Sequence, residues 1–178
     1  MNLAPSREQL AKTLTIYGRK PVLEALSNPE LDATTLHVAD SNKAAGILTT
    51  IHRLAKQRGI TVRGHDRDSL SRISKNRKQD QGVALDITCP RFGDIHALPA
   101  RANDPTCRLL ALDGVTNPQN TGMIIRSAVA GGMSGILYPR KGVAALGPLV
   151  IKASAGTVFR APLFHCDSLT DSLRALKS

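Results

Sequence analysis

The sequence predicts an α/β protein of two domains, and three observations predict it. Between residues 15 and 88, short apolar strands alternate with amphipathic helical stretches. Residues 89–106 hold three prolines and no hydrophobic period. From Arg108 the run RLLAL, apolar after its first residue, opens a second alternation of strands and helices.

The elements follow in order. Residues 1–14 are polar and read as a flexible N-terminus. Gly18–Leu26 (GRKPVLEAL) reads as a short helix with Pro21 in its first turn, where its missing N–H costs nothing. Thr35–Ala39 reads as a strand. Asn42–Arg58 reads as a helix whose apolar stripe is Ile47, Leu48, Ile51 and Leu54, ending at Gly59. Ile60–Arg63 is a strand, Asp66 caps a helix through Ile73, and Val83–Ile87 is a strand. These make a small α/β layer domain over residues 15–88. After the linker 89–106, residues 107–178 form the beginning of an open parallel-sheet domain. Its strands are Arg108–Leu112, Gly135–Tyr138 and Ala161–Phe164, and its helices are Asn120–Gly131, Leu146–Ala155 and one capped by Ser168. Three strands make a thin sheet, which points to a C-terminally truncated domain.

Charge suggests the partner. Net charge is +10, from 24 basic and 14 acidic side chains. Residues 43–78 concentrate it, with ten basic residues against Asp66 and Asp68. Such a patch favours a polyanion, most simply a nucleic acid, and Arg53, Lys56, Arg72, Lys75, Arg77 and Lys78 are the candidate contacts. With no Trp, two Tyr and three Phe, the cores must be aliphatic and aromatic base stacking has few candidates. Three scattered cysteines without a CxxC pair fit a reduced, cytoplasmic setting. No apolar run reaches the length of a membrane span, and the five dispersed histidines predict no metal site. GxGxxG, GxxxxGK(S/T), HExxH and GxSxG are absent, which argues against the enzyme classes they mark.

The segment Leu112–Gly132, LDGVTNPQNTGMIIRSAVAGG, is the most informative. It places a tight turn after a buried strand, at the carboxyl end of the sheet where α/β proteins bind ligands. Asn120 is read as the helix N-cap, and Gly122 keeps the first turn bare for close approach. Ile124, Ile125, Ala128 and Val129 form the buried face. Arg126, on its flank, leans back over the first turn and its N–H groups, making an anion pocket.

This segment resembles the first motif of SpoU-type methyltransferases, D-x-(I/V)-x-(N/D)-P-x-N-x-G-x-(I/L)-(I/L)-R-(S/T)-A, through Asp113, Asn117, Pro118, Asn120, Gly122, Arg126 and Ala128. VIKASAGTVFRAPLF at 150–164 resembles the family's K-x-S-x-G segment through Lys152, Ser154 and Gly156. YGRKPVLEAL and DQGVALD resemble the ends of the L30e-like substrate-binding domain found in many members. The resemblance covers about residues 15–176.

The resemblance implies an enzyme that moves a methyl group from S-adenosylmethionine to a ribose 2′-hydroxyl of rRNA or tRNA. It implies a homodimer with a C-terminal trefoil knot, Arg126 as the catalytic arginine and Asn120 as its supporting asparagine. The family's later G-x-E-x-x-G and I-P-M…S-L-N-V motifs do not occur in these residues. The expected fold is therefore an L30e-like substrate-binding domain followed by a partial parallel-sheet SPOUT (α/β knot) domain without its knot. No cofactor-binding residue is assigned, and the 178 residues alone are expected to be inactive. The alternative is a non-catalytic RNA-binding protein that uses the basic N-terminal domain.

Overall fold

The computed structural model describes residues 12–42, 45–98 and 105–177, with the side chain of Ala97 excepted. The chain divides into two compact units: Thr13–Thr88, and Lys12 with the described residues from Cys89 onward.

The first unit runs β1 (Thr13–Tyr17), α1 (Arg19–Ser27), β2 (Asp32–Ala39), α2 (Ile47–Gln57), β3 (Thr61–His65), α3 (Arg67–Ser74) and β4 (Val83–Thr88). The sheet order is β1-β4-β2-β3, with β4 antiparallel to β1 and β2, and β3 parallel to β2. Leu14, Ile16, Leu36, Val38, Val83, Leu85 and Ile87 alternate onto one face and are buried. Val22 and Leu26 of α1 and Leu48, Ile51 and Ala55 of α2 are buried as well, and the two helices pack together. On the opposite face, Leu70 of α3 packs on Ala39 and Ala84, with Tyr17 and Ile73 at the edge.

Several readings of the sequence change here. β1 begins at Thr13, so Thr13 and Leu14 belong to the sheet; the expected flexible residues 1–11 lie outside the described residues. β1 went unread because TLTIY runs straight into the helix pattern, and its pairing partner β4 lies about seventy residues downstream. α2 starts at Ile47, because Gly46 at φ 57 breaks the helical path; residues 43–44 lie outside the described set. Asp66 caps α3 as expected, its carboxylate accepting from the N–H groups of Asp68 and Ser69. Those hydrogen bonds to Ser69 lower its pKa.

The second unit contains β5 (Gly93–Asp94), β6 (Leu109–Ala111), α4 (Pro118–Ala130), β7 (Gly135–Pro139), α5 (Pro148–Ala153), β8 (Leu163–Cys166) and α6 (Leu169–Ala175). All strand pairs are parallel, in the order β5-β8-β7-β6. The expected linker 89–106 is thus half structural. Phe92 and Leu98 are buried, and β5 adds a strand beside β8. Residues 99–104 lie outside the described set. A two-residue strand carries no period, which is why it read as linker. The apolar run at 108–112 was expected as a buried strand, but among the described residues β6 is an edge strand and only Leu112 beyond it is fully buried. β7, buried along its whole length, takes the centre.

Candidate functional site

The motif turn is built by its own side chains. Asn117, not Asn120, is the N-cap of α4. Its Oδ1 accepts from the N–H groups of Gln119 (2.9 Å) and Asn120 (3.1 Å), and Pro118 occupies the first helical position. The Asn-Pro pair signals this cap in the sequence. The correction has a chemical consequence. Pro118 has no N–H and the next two are bonded to Asn117, so the anion pocket expected from free first-turn N–H groups is not open.

Thr121 is fully buried and ties the turn to the helix, its hydroxyl donating to Val115 O (3.2 Å) and Asn117 O (3.0 Å). Val115 O also accepts from Ala144 N (3.0 Å), and the Tyr138 hydroxyl donates to Ala144 O. Burial raises the Tyr138 phenol far above its ordinary pKa, so it remains a donor. The loop after β7 is thereby fastened to the motif turn.

Gly122 does keep the helix bare, and another helix fills the space. A Cβ there would sit 2.6 Å from Ala153 Cβ and 2.7 Å from Val150 O. α5 can cross α4 closely only because this position has no side chain. Ser154 is buried, donating to Ile151 O (3.0 Å) and accepting from Val158 N (3.4 Å). Its segment is a structural turn, closed by Gly156 at φ 75, while Lys152 stays exposed.

Arg126 is exposed, with no hydrogen bond or ion pair to any described residue. Asn120 is exposed too, six residues earlier, and no hydrogen bond joins the two. At about 100° per residue they point about 120° apart around the helix. The structure thus does not bring the expected supporting pair together. Ile125 and Ala128 are buried as expected, whereas Ile124 and Val129 are only partly so.

In the first unit, the carboxyl ends of β1, β2 and β3 and the start of β4 lie together. Lys75 (φ 54) ends α3 there, and Arg72, Lys75, Arg77 and Lys78 are exposed. The loop is fixed internally. The Asn76 amide donates to the Tyr17 hydroxyl (3.0 Å), and the Arg19 N–H donates to Gln81 Oε1 (3.0 Å). Arg19 and Lys20 therefore join this cationic rim, which sequence spacing did not indicate. Arg77 is partly occupied by Asp68 at 2.8 Å. Arg53 and Lys56 are exposed but stand in the second half of α2, which runs from the rim back toward the start of β3. The structure separates them from the other four.

Two arginines of the basic segment serve the fold. Arg58 donates to the carbonyls of Ala25, Leu26, Asn28 and Leu31, closing the end of α1. Arg67 pairs at 2.9 Å with fully buried Asp80, which also accepts from Ser74 Oγ and Gly82 N. Among the described residues, no group of three or more His, Cys, Asp or Glu could hold a metal ion, and no helix is long and apolar enough to cross a membrane. None of the three cysteines is in a disulfide.

Comparison with known proteins covers both units. Residues 15–92 match the family model for RNA 2′-O ribose methyltransferase substrate binding, and residues 108–178 match the SpoU rRNA methylase family. An uncharacterized tRNA/rRNA methyltransferase of Mycobacterium ulcerans is 34% identical over 173 residues, covering 96% of this chain and 54% of that protein. A counterpart so named in Mycobacterium avium is 35% identical over 166 residues, covering 92% and 52%. The chain spans about half the length of the curated relatives it matches. Two solved structures share the fold at a TM-score of 0.51. They are an AdoMet-bound rRNA methyltransferase from Sinorhizobium meliloti, 23% identical, and the SpoU methyltransferase AviRb from Streptomyces viridochromogenes with AdoMet, 19% identical. Each alignment covers 94% of this chain and 59% of the other.

Proposed function

The chain belongs to the SpoU methylase family, and on that premise we propose that it forms the substrate-binding and first catalytic portion of a cytoplasmic RNA 2′-O-ribose methyltransferase. The first unit holds rRNA or tRNA through the cationic rim, with Arg72, Lys75, Arg77 and Lys78 on phosphates and Arg53 and Lys56 as outlying contacts. The second unit supplies Arg126 and Asn120 to the reaction. The active species is a homodimer.

Arg126 carries this reading: an exposed guanidinium, without a partner among the described residues, on the helix that follows a rigid turn at the carboxyl end of a parallel sheet. A guanidinium carries five N–H donors and no acceptor, so it is a poor base. It acts by holding the ribose–phosphate in register and favouring negative charge on the 2′-oxygen through a planar pair of donors. Asn120 works as a separate contact to RNA, not through Arg126.

S-adenosylmethionine is the methyl donor that this reading implies. The described residues do not by themselves fit it. The α4 first-turn N–H groups are already bonded, and the family's G-x-E-x-x-G and I-P-M…S-L-N-V strings are not among these 178 residues. We assign it no contact here and expect the 178 residues alone to show no calorimetric binding of it.

The test uses Arg126→Lys within a chain of the relatives' full length. Methyl transfer should fall at least about a hundredfold, as on losing one oxyanion donor, with RNA affinity unchanged. Near-normal turnover would remove Arg126 from the mechanism. RNA binding without any methyl transfer by the unaltered full-length chain would favour the non-catalytic RNA-binding reading.

A further inference from the structure

One polar chain in the first unit serves neither the rim nor the core. It takes one side chain from each strand of the sheet, in spatial order. Thr15 of β1 donates to Asp86 Oδ1 of β4 (2.6 Å), Asp86 Oδ2 lies 2.9 Å from His37 Nε2 of β2, and His37 Nδ1 lies 2.9 Å from His65 Nε2 of β3. His37 is buried, while Asp86 and His65 are partly exposed. The two rings lie 5.0 Å apart at 40°.

Proton accounting defines what this chain can do. Ionised Asp86 accepts only, so His37 donates from Nε2, and neutral His37 then accepts at Nδ1 from the Nε2–H of His65. A first added proton leaves the imidazole–imidazole bond intact, because one ring of the pair still offers a lone pair. A second proton makes every ring nitrogen a donor. The bond is then lost and two like charges face each other. Among the described residues β3 is an edge strand, paired on one side with β2 and exposed over Thr61–Gly64. It leads through Asp66 directly into α3 and the rim.

We propose that the Thr15–Asp86–His37–His65 chain is an acid-operated latch on β3, closed with no proton or one proton on the imidazole pair and opened by the second. The charged groups facing His65 are His37 on β2, Asp40 in the turn after β2, Arg63 on β3 and Asp66 at the start of α3. Asp86 acts through His37, and β1 contributes only an uncharged hydroxyl. Burial, and then the charge of His37, hold His65 below its ordinary value of 6.5. The folded state therefore takes up protons less readily than the unfolded one. The stabilisation is complete above about pH 6.5 and is lost as pH falls through the folded value.

Amide exchange of the 178-residue chain, measured by NMR at pH 7.5 and pH 5 and corrected for intrinsic rates, tests the latch. Protection of Thr61–His65 should fall on acidification, approaching tenfold per pH unit, the limit for uptake of one proton. Protection of β1 at the far edge should hold. His65→Gln keeps an N–H donor for His37 but cannot titrate, so its β3 protection should not follow pH; His52→Gln should behave like the unaltered chain. Should His65→Gln fail to fold, the nitrogen–nitrogen scalar coupling between His65 and His37 decides, present at pH 7.5 and lost at pH 5. A pH-independent β3, an equal acid loss in His65→Gln, equal loss across β1 and β3, or no coupling at pH 7.5 would each overturn the proposal.

Discussion

Arg67 and Arg126 stand for two regions that use the same side chain in opposite ways. Arg67 is paired with a buried carboxylate and belongs to a hydrogen-bonded set that closes the loop before β4. Arg126 touches no described polar partner. In the first unit, internal bonds also hold Arg58 and Asn76, and the cations left outside form the rim. In the second unit, internal bonds tie down the turn and its supporting loop, while Arg126, Asn120 and Lys152 stay exposed. The lesson is that a basic residue in a charged run is not thereby a binding residue. A buried acid or a ring of carbonyls can claim it, and what remains exposed is the proposed functional surface.

The sharpest way to break this contrast is to remove each arginine's setting. Asp80→Ala should destabilise the first unit by about 3 kcal/mol, since it strands buried Ser74 and Gly82 donors as well as Arg67. Arg126→Ala should change stability by less than about 0.5 kcal/mol. Urea unfolding followed by residue-specific NMR signals compares the two, and equal losses would dissolve the distinction. Gly122→Ala comes next. The new methyl must displace α5, so a loss of about 1–3 kcal/mol confined to the second unit is expected in the same experiment.

The rim can be sharpened by charge reversal. Replacing Arg72, Lys75, Arg77 and Lys78 with Glu should weaken binding to a structured RNA about tenfold or more. It should also flatten the salt dependence by up to about 0.9 per lost contact, titrated by fluorescence anisotropy. Arg53 and Lys56 reversals should do less, because they stand apart from the rim. Asn117→Ala removes one helix cap and should cost about 1 kcal/mol by thermal or urea melts. Asn120→Ala, which the sequence pattern had offered as the cap, should cost little.

Local rules made much of this legible. Asp66 as a cap, Gly59 after α2, the stripe through Leu48 and Ile51, and the Ser168 cap all follow from neighbours within a turn or two. The motif turn was visible as well, but the cap was placed at Asn120, because the Asn-Pro signal at Asn117 was passed over. β1 and β5 were missed, since their partners lie far along the chain.

The sequence by itself determined the alternation of strands and helices, the concentration of charge at 43–78, and the motif that marks the family. These are properties of composition and short-range order, which any window of a dozen residues contains. Only the tertiary structure decided which charges are free, and that Thr15, Asp86, His37 and His65 join in one chain. The physical reason is that both depend on contacts between segments well separated along the chain. The order β1-β4-β2-β3 sets Thr15 beside Asp86, 71 positions away, and no local pattern encodes that order.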